Sequence, residues 1–340
     1  MKVLFIVNNL PEYKERFIRE FSQKNDITVV AEKNNTYPNN FLRKGYSYFE
    51  VKSFSIFGLR IQPGLIKFIF FKKWDRIICS WNMRFIDRFF FFFIFLKKKE
   101  KWIWWGHILG SNKFWIAKQI RILFLKAAKS VLIYSDKFKT RLMKEFKYKN
   151  IFSFNNSEVS MDEFRESKWT ENTNNKLSLL FVGRYQKRKN IEILIALLKR
   201  KPNVELTLVG PGMLENFSNI SQKNLKIIGP TDNNKLDSIF NTVDLVVNPG
   251  HLGLLISNAA RYGKPIAISN TYDHAPEVSL AYASDQFFLD FDNNFELDQF
   301  IEYCLNNKNI IKKKGNELQR ISKDRYNLQY MVKVHNDSMI

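Results

Sequence analysis

The sequence predicts an α/β protein built as two Rossmann-like domains in tandem, and three observations lead there. Its 340 residues exceed one ordinary domain, which runs to about 100–200 residues. Short apolar runs alternate with helix-like stretches in two successive series, the pattern of parallel strands covered on both faces. Between the series lies RESKWTENTNNKLS (165–178), polar and poor in large aliphatics, which reads as a linker. The domains expected are therefore 1–168 and 175–319, followed by a tail of about 320–340 that can pack back on the first.

In the first series KVLFIV (2–7), ITVVAE (27–32), YFEV (48–51), RIICS (76–80), KWIWW (101–105) and SVLIYS (130–135) read as strands. Helices are expected at 13–23, 63–73, 83–98, 113–128 and 137–147. The second series has strands LSLLFVG (177–183), VELTLVG (204–210), LKIIG (225–229), DLVVNPG (244–250) and PIAIS (265–269), with helices near 189–200, 233–241, 253–262 and 295–307. The stretch from about 309 to 340 reads as helical.

Charge is unevenly placed. The net charge is +21, and residues 51–150 hold 23 Lys/Arg against 5 Asp/Glu, so one region either faces something anionic, nucleic acid or an anionic membrane surface, or is a merely soluble basic face, and charge alone does not choose. A hydrophobic content of 45% with 32 Phe excludes a disordered chain. Cys79 and Cys304 stand far apart without a CxxC, which fits a reducing cytosol rather than a disulfide framework or zinc site. The opening MKVLFIV is too short an apolar run for a signal peptide. FFFFFIFL (89–96) falls short of the roughly 20 residues a spanning helix needs. With Arg84 and Arg88 before it and Lys97, Lys98 and Lys99 after it, it reads either as an interfacial helix with a basic collar or as a helix packed on the sheet.

Two segments carry chemistry. In NPGHLGLLISNAARYGKP (248–265) a strand ends at Pro249-Gly250 and a helix opens near Gly253-Leu254. Free N–H groups there suit a phosphate oxygen, although a tight turn with nothing bound has the same residues. In FVGRYQKRKN (181–190) Arg184 and Lys189 lie across a strand-to-helix junction, a fork of donors and a compact charge suited to two phosphates. Solvated basic residues would look alike.

Their order is more specific: Gly183-Arg184 with Lys189 ahead of a helix, then Val209-Gly210-Pro211-Gly212, then IIGPTD (227–232), then Pro249-Gly250 and a helix closed by YGKP. From about 177 to 277 this order resembles the GT4-type glycosyltransferases of the GT-B fold, particularly bacterial enzymes of capsule, O-antigen, exopolysaccharide and lipopolysaccharide synthesis. The resemblance implies two Rossmann-like domains facing each other across a cleft, with a donor site of Gly183, Gly229, Pro230, Thr231, Gly250, His251, Leu252, Gly253, Leu254 and Asn258. Arg184 and Lys189 would stabilise the leaving diphosphate. KWIWWGHILG (101–110) resembles the strand that ends in a donor-facing histidine, which makes His107 a catalytic candidate. NNLPEYKERFIREFS (8–22) is similar to the family's Pro-x-Tyr-Arg opening and places Asn9, Tyr13 and Arg16 on the acceptor side.

Two departures stand out. The family's glutamate pair is replaced by Gly250 or His251 and by Asn258, so the ribose would be held by neutral hydrogen bonds. Asp290-Phe291-Asp292 has a metal-binding D-x-D form but sits late in the second domain, and no metal or other cofactor is expected. Glu277 in YDHAPE matches a family position of structural kind.

The resemblance implies retaining transfer from a nucleotide-diphosphate sugar, UDP favoured over GDP, to a polyprenyl-diphosphate-linked oligosaccharide at the inner face of the cell membrane. The protein would be cytoplasmic and peripherally attached, with no nucleic acid as partner. A non-hydrolysing nucleotide-sugar epimerase would need a carboxylate pair that is not evident. A glucan phosphorylase would need a pyridoxal phosphate lysine and a longer chain. A non-catalytic basic binding protein leaves the ordered glycines unexplained, and no RNA-recognition or helix-turn-helix signature is present.

Overall fold

The computed structural model describes residues 1–33, 43–94, 100–108, 115–169 and 175–340, without the side chains of residues 12–13 and 115–117. Two compact units result, Met1–Glu158 with Leu328–Ile340, and Val159–Asn327.

The first unit runs β1 (Lys2–Val7), α1 (Glu12–Ser22), β2 (Asp26–Glu32), β3 (Ser47–Val51), β4 (Phe54–Ile56), β5 (Leu59–Ile61), α2 (Leu65–Phe70), β6 (Arg76–Ser80), α3 (Ile86–Ile94), β7 (Trp102–Trp105), α4 (Trp115–Ala127), β8 (Ser130–Ile133), α5 (Asp136–Phe146) and β9 (Ile151–Ser153). Its main sheet has the order β3-β2-β1-β6-β7-β8-β9, parallel throughout. Strand side chains alternate between faces, so β1 feeds two cores. Leu4 and Ile6 join Trp102 and Trp104 on one side, while Val3, Phe5 and Val7 join Phe17 and Phe21 on the other.

The phenylalanine run divides between two environments. Phe91 and Phe92 of α3 are buried, and Phe92 packs 5.3 Å from the Trp104 ring. Phe90, Phe93 and Ile94 stay exposed. Arg88, expected in a basic collar, is instead fully buried. The collar lysines Lys97, Lys98 and Lys99 lie outside the described residues.

The sequence pattern does not reveal the β4–β5 hairpin, whose strands have three residues each. Its register pairs Phe54 with Ile61, Ser55 with Arg60 and Ile56 with Leu59. Both turn residues have positive φ, 49° at Phe57 and 78° at Gly58, the type I′ geometry that matches ribbon twist and favours Asn-Gly. A phenylalanine in that left-handed region costs roughly 1–2 kcal/mol.

The second unit contains β10 (Leu177–Val182), α6 (Glu192–Arg200), β11 (Val204–Val209), α7 (Met213–Phe217), β12 (Leu225–Ile228), α8 (Asn233–Asn241), β13 (Leu245–Asn248), α9 (Leu255–Arg261), β14 (Ile266–Ser269), α10 (Val278–Ala283), β15 (Phe287–Leu289), α11 (Asn294–Asn306) and α12 (Lys308–Arg325). The sheet order is β12-β11-β10-β13-β14-β15, again all parallel.

The unit boundaries differ from those expected. Residues 159–168 belong to the second unit rather than the first, because the segment read as a linker is tied to the end of α9. Arg165 N donates to Arg261 O at 2.9 Å, Ser167 Oγ to Gly263 O at 3.1 Å, and the buried Lys264 donates to Lys168 O at 2.6 Å. The second unit also extends to Asn327. The last helix, α13 (Leu328–Met339), packs on α1, β8 and β9 of the first unit. There His335 is buried among the rings of Phe5, Phe17, Phe21 and Phe154. Its Nδ1 donates to Met331 O at 2.7 Å.

Candidate functional site

In an open parallel sheet the polar loops gather at the carboxyl ends of the strands. In the second unit this edge brings the two motif segments together. The chain leaves β10 through Gly183, and Gly210 lies so close that a Cβ there would sit 2.2 Å from Gly183 O. Arg184 follows, exposed and without a protein partner among the described residues. Lys187–Lys189 form one 3-10 turn ended by Asn190 at φ 55°. Gly250 abuts that turn: a Cβ would meet Arg188 O at 2.2 Å and Lys189 C at 2.6 Å. His251 N donates to Arg188 O at 2.9 Å, and Lys189 Nζ donates to His251 O at 2.5 Å. Partial burial first, and Arg188 second, lower the Lys189 pKa to about 8, so its ammonium is still mostly charged near neutrality.

The loop after β13 is held by histidines. His274 Nδ1 accepts from Leu252 N at 3.0 Å and His274 Nε2 lies 2.6 Å from Ser269 O, which assigns its proton to Nε2. Burial is the main cause of its lowered pKa, in keeping with a neutral ring. His251 Nδ1 sits 2.7 Å from Asp273 O, so Nδ1 carries a proton and donates. These bonds correct part of the expected anion site. The N–H groups of His251 and Leu252 are used by the protein, and the Leu252 side chain is core. Among the described residues, the Gly253 and Leu254 N–H groups have no such partner. A Cβ at Gly253 would meet nothing within 4 Å. The helix that follows, α9, begins at Leu255 and has only 7 residues, so the free N–H groups matter more than its small dipole.

The remaining donor-side candidates surround this edge. Gly229 follows β12, a Cβ there lying 3.0 Å from Leu214 Cδ1. Pro230 is exposed and Thr231 half-buried, just before Asp232, which caps α8 by accepting from Lys235 N at 2.9 Å. Asn258 is half-buried in α9. The expected helix stop is present, with Gly263 at φ 61° after α9. Asp290 accepts from Asp292 N at 3.0 Å, a local turn bond. His274, the histidine of YDHAPE, has no role in the sequence reading; its signal is a histidine shortly after β14, on the same carboxyl edge.

In the first unit His107 follows Gly106, the residue after β7. Its ring stacks on Tyr134 at 4.4 Å and 25° and borders a cavity of about 30 Å³ lined by Ile108, Ile133, Phe138 and Leu142. The residue keeps an exposed edge, yet its low-polarity surroundings, then Lys14, lower its pKa. It is therefore neutral near pH 7. Arg16 NH1 donates to Glu158 O at 2.9 Å, which ties α1 to the end of the unit. Asn9 is half-buried, and the side chain of Tyr13, like Leu109 and Gly110 after His107, lies outside the described residues.

A polar cluster that sequence reasoning missed lies beside Asn8 and Ser80, at the ends of β1 and β6. The Arg88 guanidinium donates to Asn8 Oδ1 at 2.7 Å, Ser80 Oγ at 2.5 Å and Gln62 Oε1 at 2.9 Å. It lies 4.0 Å from the Phe85 ring centroid. No short-range sequence signal distinguishes it from an ordinary surface arginine.

Residues 162–325 match the family of glycosyl transferases group 1. A Klebsiella pneumoniae protein described only as an uncharacterized 41.2 kDa protein in the cps region is 31% identical over 108 residues, a match that spans 30% of this chain and 30% of that protein. Among solved structures, a glycosyltransferase from Rickettsia africae superposes with a TM-score of 0.72 at 16% identity, covering 99% of this chain and 97% of its own. HepE of Anabaena, in complex with UDP, gives 0.71 at 16% identity, covering 100% and 99%. The lipopolysaccharide outer core galactosyltransferase WaaB gives 0.66 at 15%, covering 100% and 99%. At such identities the likeness establishes the fold, two Rossmann-like halves as in GT-B proteins.

Proposed function

We propose that this chain, a glycosyltransferase with a group 1 domain in its second unit, moves a sugar from a UDP-sugar to a hydroxyl of a lipid-linked bacterial surface glycan with retention of configuration. The observation that carries this reading is the presence at one sheet edge of Arg184 and Lys189 beside the N–H groups of Gly253 and Leu254, with Arg184 and both N–H groups lacking a protein partner among the described residues. These four donors suit the two phosphates of a leaving diphosphate.

In the reaction proposed, the bond from the anomeric carbon to the diphosphate oxygen breaks and a bond from the acceptor oxygen to that carbon forms, with release of the nucleoside diphosphate and the hydroxyl proton. Arg184 and Lys189 stabilise the charge that grows on the departing oxygens, so no metal is required. The loop of Gly229, Pro230 and Thr231 holds the base, and Asn258 shares the ribose through its amide. His107, neutral and at the end of β7, orients the acceptor hydroxyl or the transferred sugar, with Asn9, Tyr13 and Arg16 on the acceptor side. The relative from a cps region supports a surface glycan as product, and the basic 51–150 region supports a peripheral place on the inner face of the membrane.

The test is Arg184→Ala. It removes a solvated side chain with no protein partner among the described residues, so the melting temperature should hold, while stabilisation by UDP falls and transfer drops by about 10²–10³. Unchanged transfer would overturn the assignment. Stabilisation by GDP but not UDP would change the nucleotide and leave the clamp standing.

A further inference from the structure

The β4–β5 hairpin faces the wrong way for a folded protein in water. Its register puts Phe54, Ile56, Leu59 and Ile61 on one face and Ser55 and Arg60 on the other. The polar face is the one tied to the body. Arg60 NH1 lies 2.9 Å from each carboxylate oxygen of Glu32, Ser53 Oγ bonds the same carboxylate, and Arg60 N donates to Arg84 O at 2.6 Å. The apolar face is left outward: Phe54, Ile56 and Leu59 are exposed, and Phe57 at the tip is 102% exposed. Phe57 also occupies a left-handed turn position better suited to Asn or Gly. Packing among the described residues does not explain it there.

The neighbouring helices continue the apolar surface. The α3 helix packs beside β5 and exposes Phe90, Phe93 and Ile94. Phe70 meets Phe91 at 5.8 Å and so joins α2 to α3, and Ile66 and Phe71 are exposed alongside. The charge around this surface is mostly positive. Lys52, Lys67, Lys72, Lys73 and Arg84 are exposed. Of the two acidic residues between 51 and 94, Asp87 is buried and accepts from Gln62 N at 2.6 Å, and the exposed Asp75 accepts from Lys2 N at 2.8 Å. An aromatic wedge within a basic collar matches the boundary between anionic headgroups and acyl chains.

We infer that the 54–61 hairpin, flanked by the exposed faces of α2 and α3, inserts into an anionic lipid bilayer and anchors the first unit there. This rests on the membrane-associated reading proposed above and names the element that enters the lipid. Arg60–Glu32 then acts as the brace that holds the apolar face outward.

Cys79 and Cys304 are fully buried, and burial raises both thiols to about 12, so a single introduced cysteine can be labelled selectively. The experiment is Phe57→Cys carrying an environment-sensitive fluorophore, titrated with vesicles of phosphatidylglycerol and phosphatidylcholine and with phosphatidylcholine alone. The expected result is a blue-shifted emission quenched by spin-labelled acyl chains in the anionic vesicles only. Ile56→Asp and Leu59→Asp should each weaken partition at least tenfold while leaving stabilisation by UDP unchanged, since both side chains are exposed. Wild-type binding with a water-exposed fluorophore and undiminished partition of the Asp variants would overturn the hairpin anchor and leave the membrane reading intact. Failure of the wild-type protein to bind anionic vesicles would overturn both. A dimer in solution that the Asp variants dissociate, with vesicle binding unaffected, would instead assign this face to a second copy of the chain and overturn the anchor.

Discussion

Each unit places an arginine at the carboxyl edge of its parallel sheet, and the two have opposite fates. In the first unit Arg88 is fully buried, with its donors taken up by Asn8, Ser80 and Gln62. In the second unit Arg184 is exposed and unpartnered among the described residues. One cation has been consumed by the fold, and the other is the one proposed above to meet a ligand. The difference teaches that residue type and position along a strand–helix junction do not reveal a binding cation; what matters is whether the protein already supplies its acceptors.

Substitution at both sites can break this comparison. Arg88→Met removes the guanidinium and strands the buried Gln62 Oε1, which loses both its donors, while Asn8 Oδ1 keeps the Ser80 hydroxyl. The expected loss is about 3 kcal/mol, the upper end of the roughly 1–3 kcal/mol that an unsatisfied buried polar group costs, because the bonds lost are to a charged group. Urea unfolding would measure it, with Arg184→Ala as the neutral reference. Equal stability of the two variants would remove the distinction.

A smaller effect separates the units by pH. Burial pushes the His335 pKa down to about 3, against about 6.5 for the unfolded chain. The unfolded state therefore takes up a proton first as pH falls below 6.5, and the stability that a neutral His335 confers is lost progressively from there toward pH 3. Between pH 6.5 and pH 5 the loss is about 2 kcal/mol, at about 1.36 kcal/mol per pH unit. His335→Leu should flatten this part of the profile of the first unit, to which α13 belongs, as followed by hydrogen exchange of α1 and α13. An unchanged profile would assign the acid sensitivity elsewhere.

How much was legible in the sequence follows the same division. The loop edge of the second unit, proposed above for the donor, could be read as a structure because its determinants are local: Gly250 and Gly183 mark close backbone approaches, and Arg184 and Lys189 stand at fixed offsets from a strand. The engagement of the Leu252 N–H by His274 could not be read, because it joins residues 22 apart. In the first unit the strands were plain as continuous apolar runs. The burial of Arg88, which depends on residues 80 positions away, was not. Nor was the linker's attachment to α9, since its hydrogen bonds run largely through backbone carbonyls that composition does not encode.

The smallest expected effect sharpens the comparison most, because it asks whether an unfavourable residue is kept for a reason. At the tip of the hairpin Phe57 has φ 49° and Gly58 φ 78°, and Phe57 touches solvent on all sides. Asn in the first position of such a turn accepts the left-handed backbone readily. Phe57→Asn should thus raise the stability of the first unit by about 0.5–1 kcal/mol, part of the roughly 1–2 kcal/mol that an ordinary residue loses in this region. If the turn serves only to connect β4 and β5, the variant is simply a better protein. If the hairpin enters lipid, the same variant should be more stable in urea and yet bind anionic vesicles less well. A variant that gains stability and keeps full vesicle binding would place the anchor in the flanking helices, while one that loses stability would show that the ring packs on something in solution.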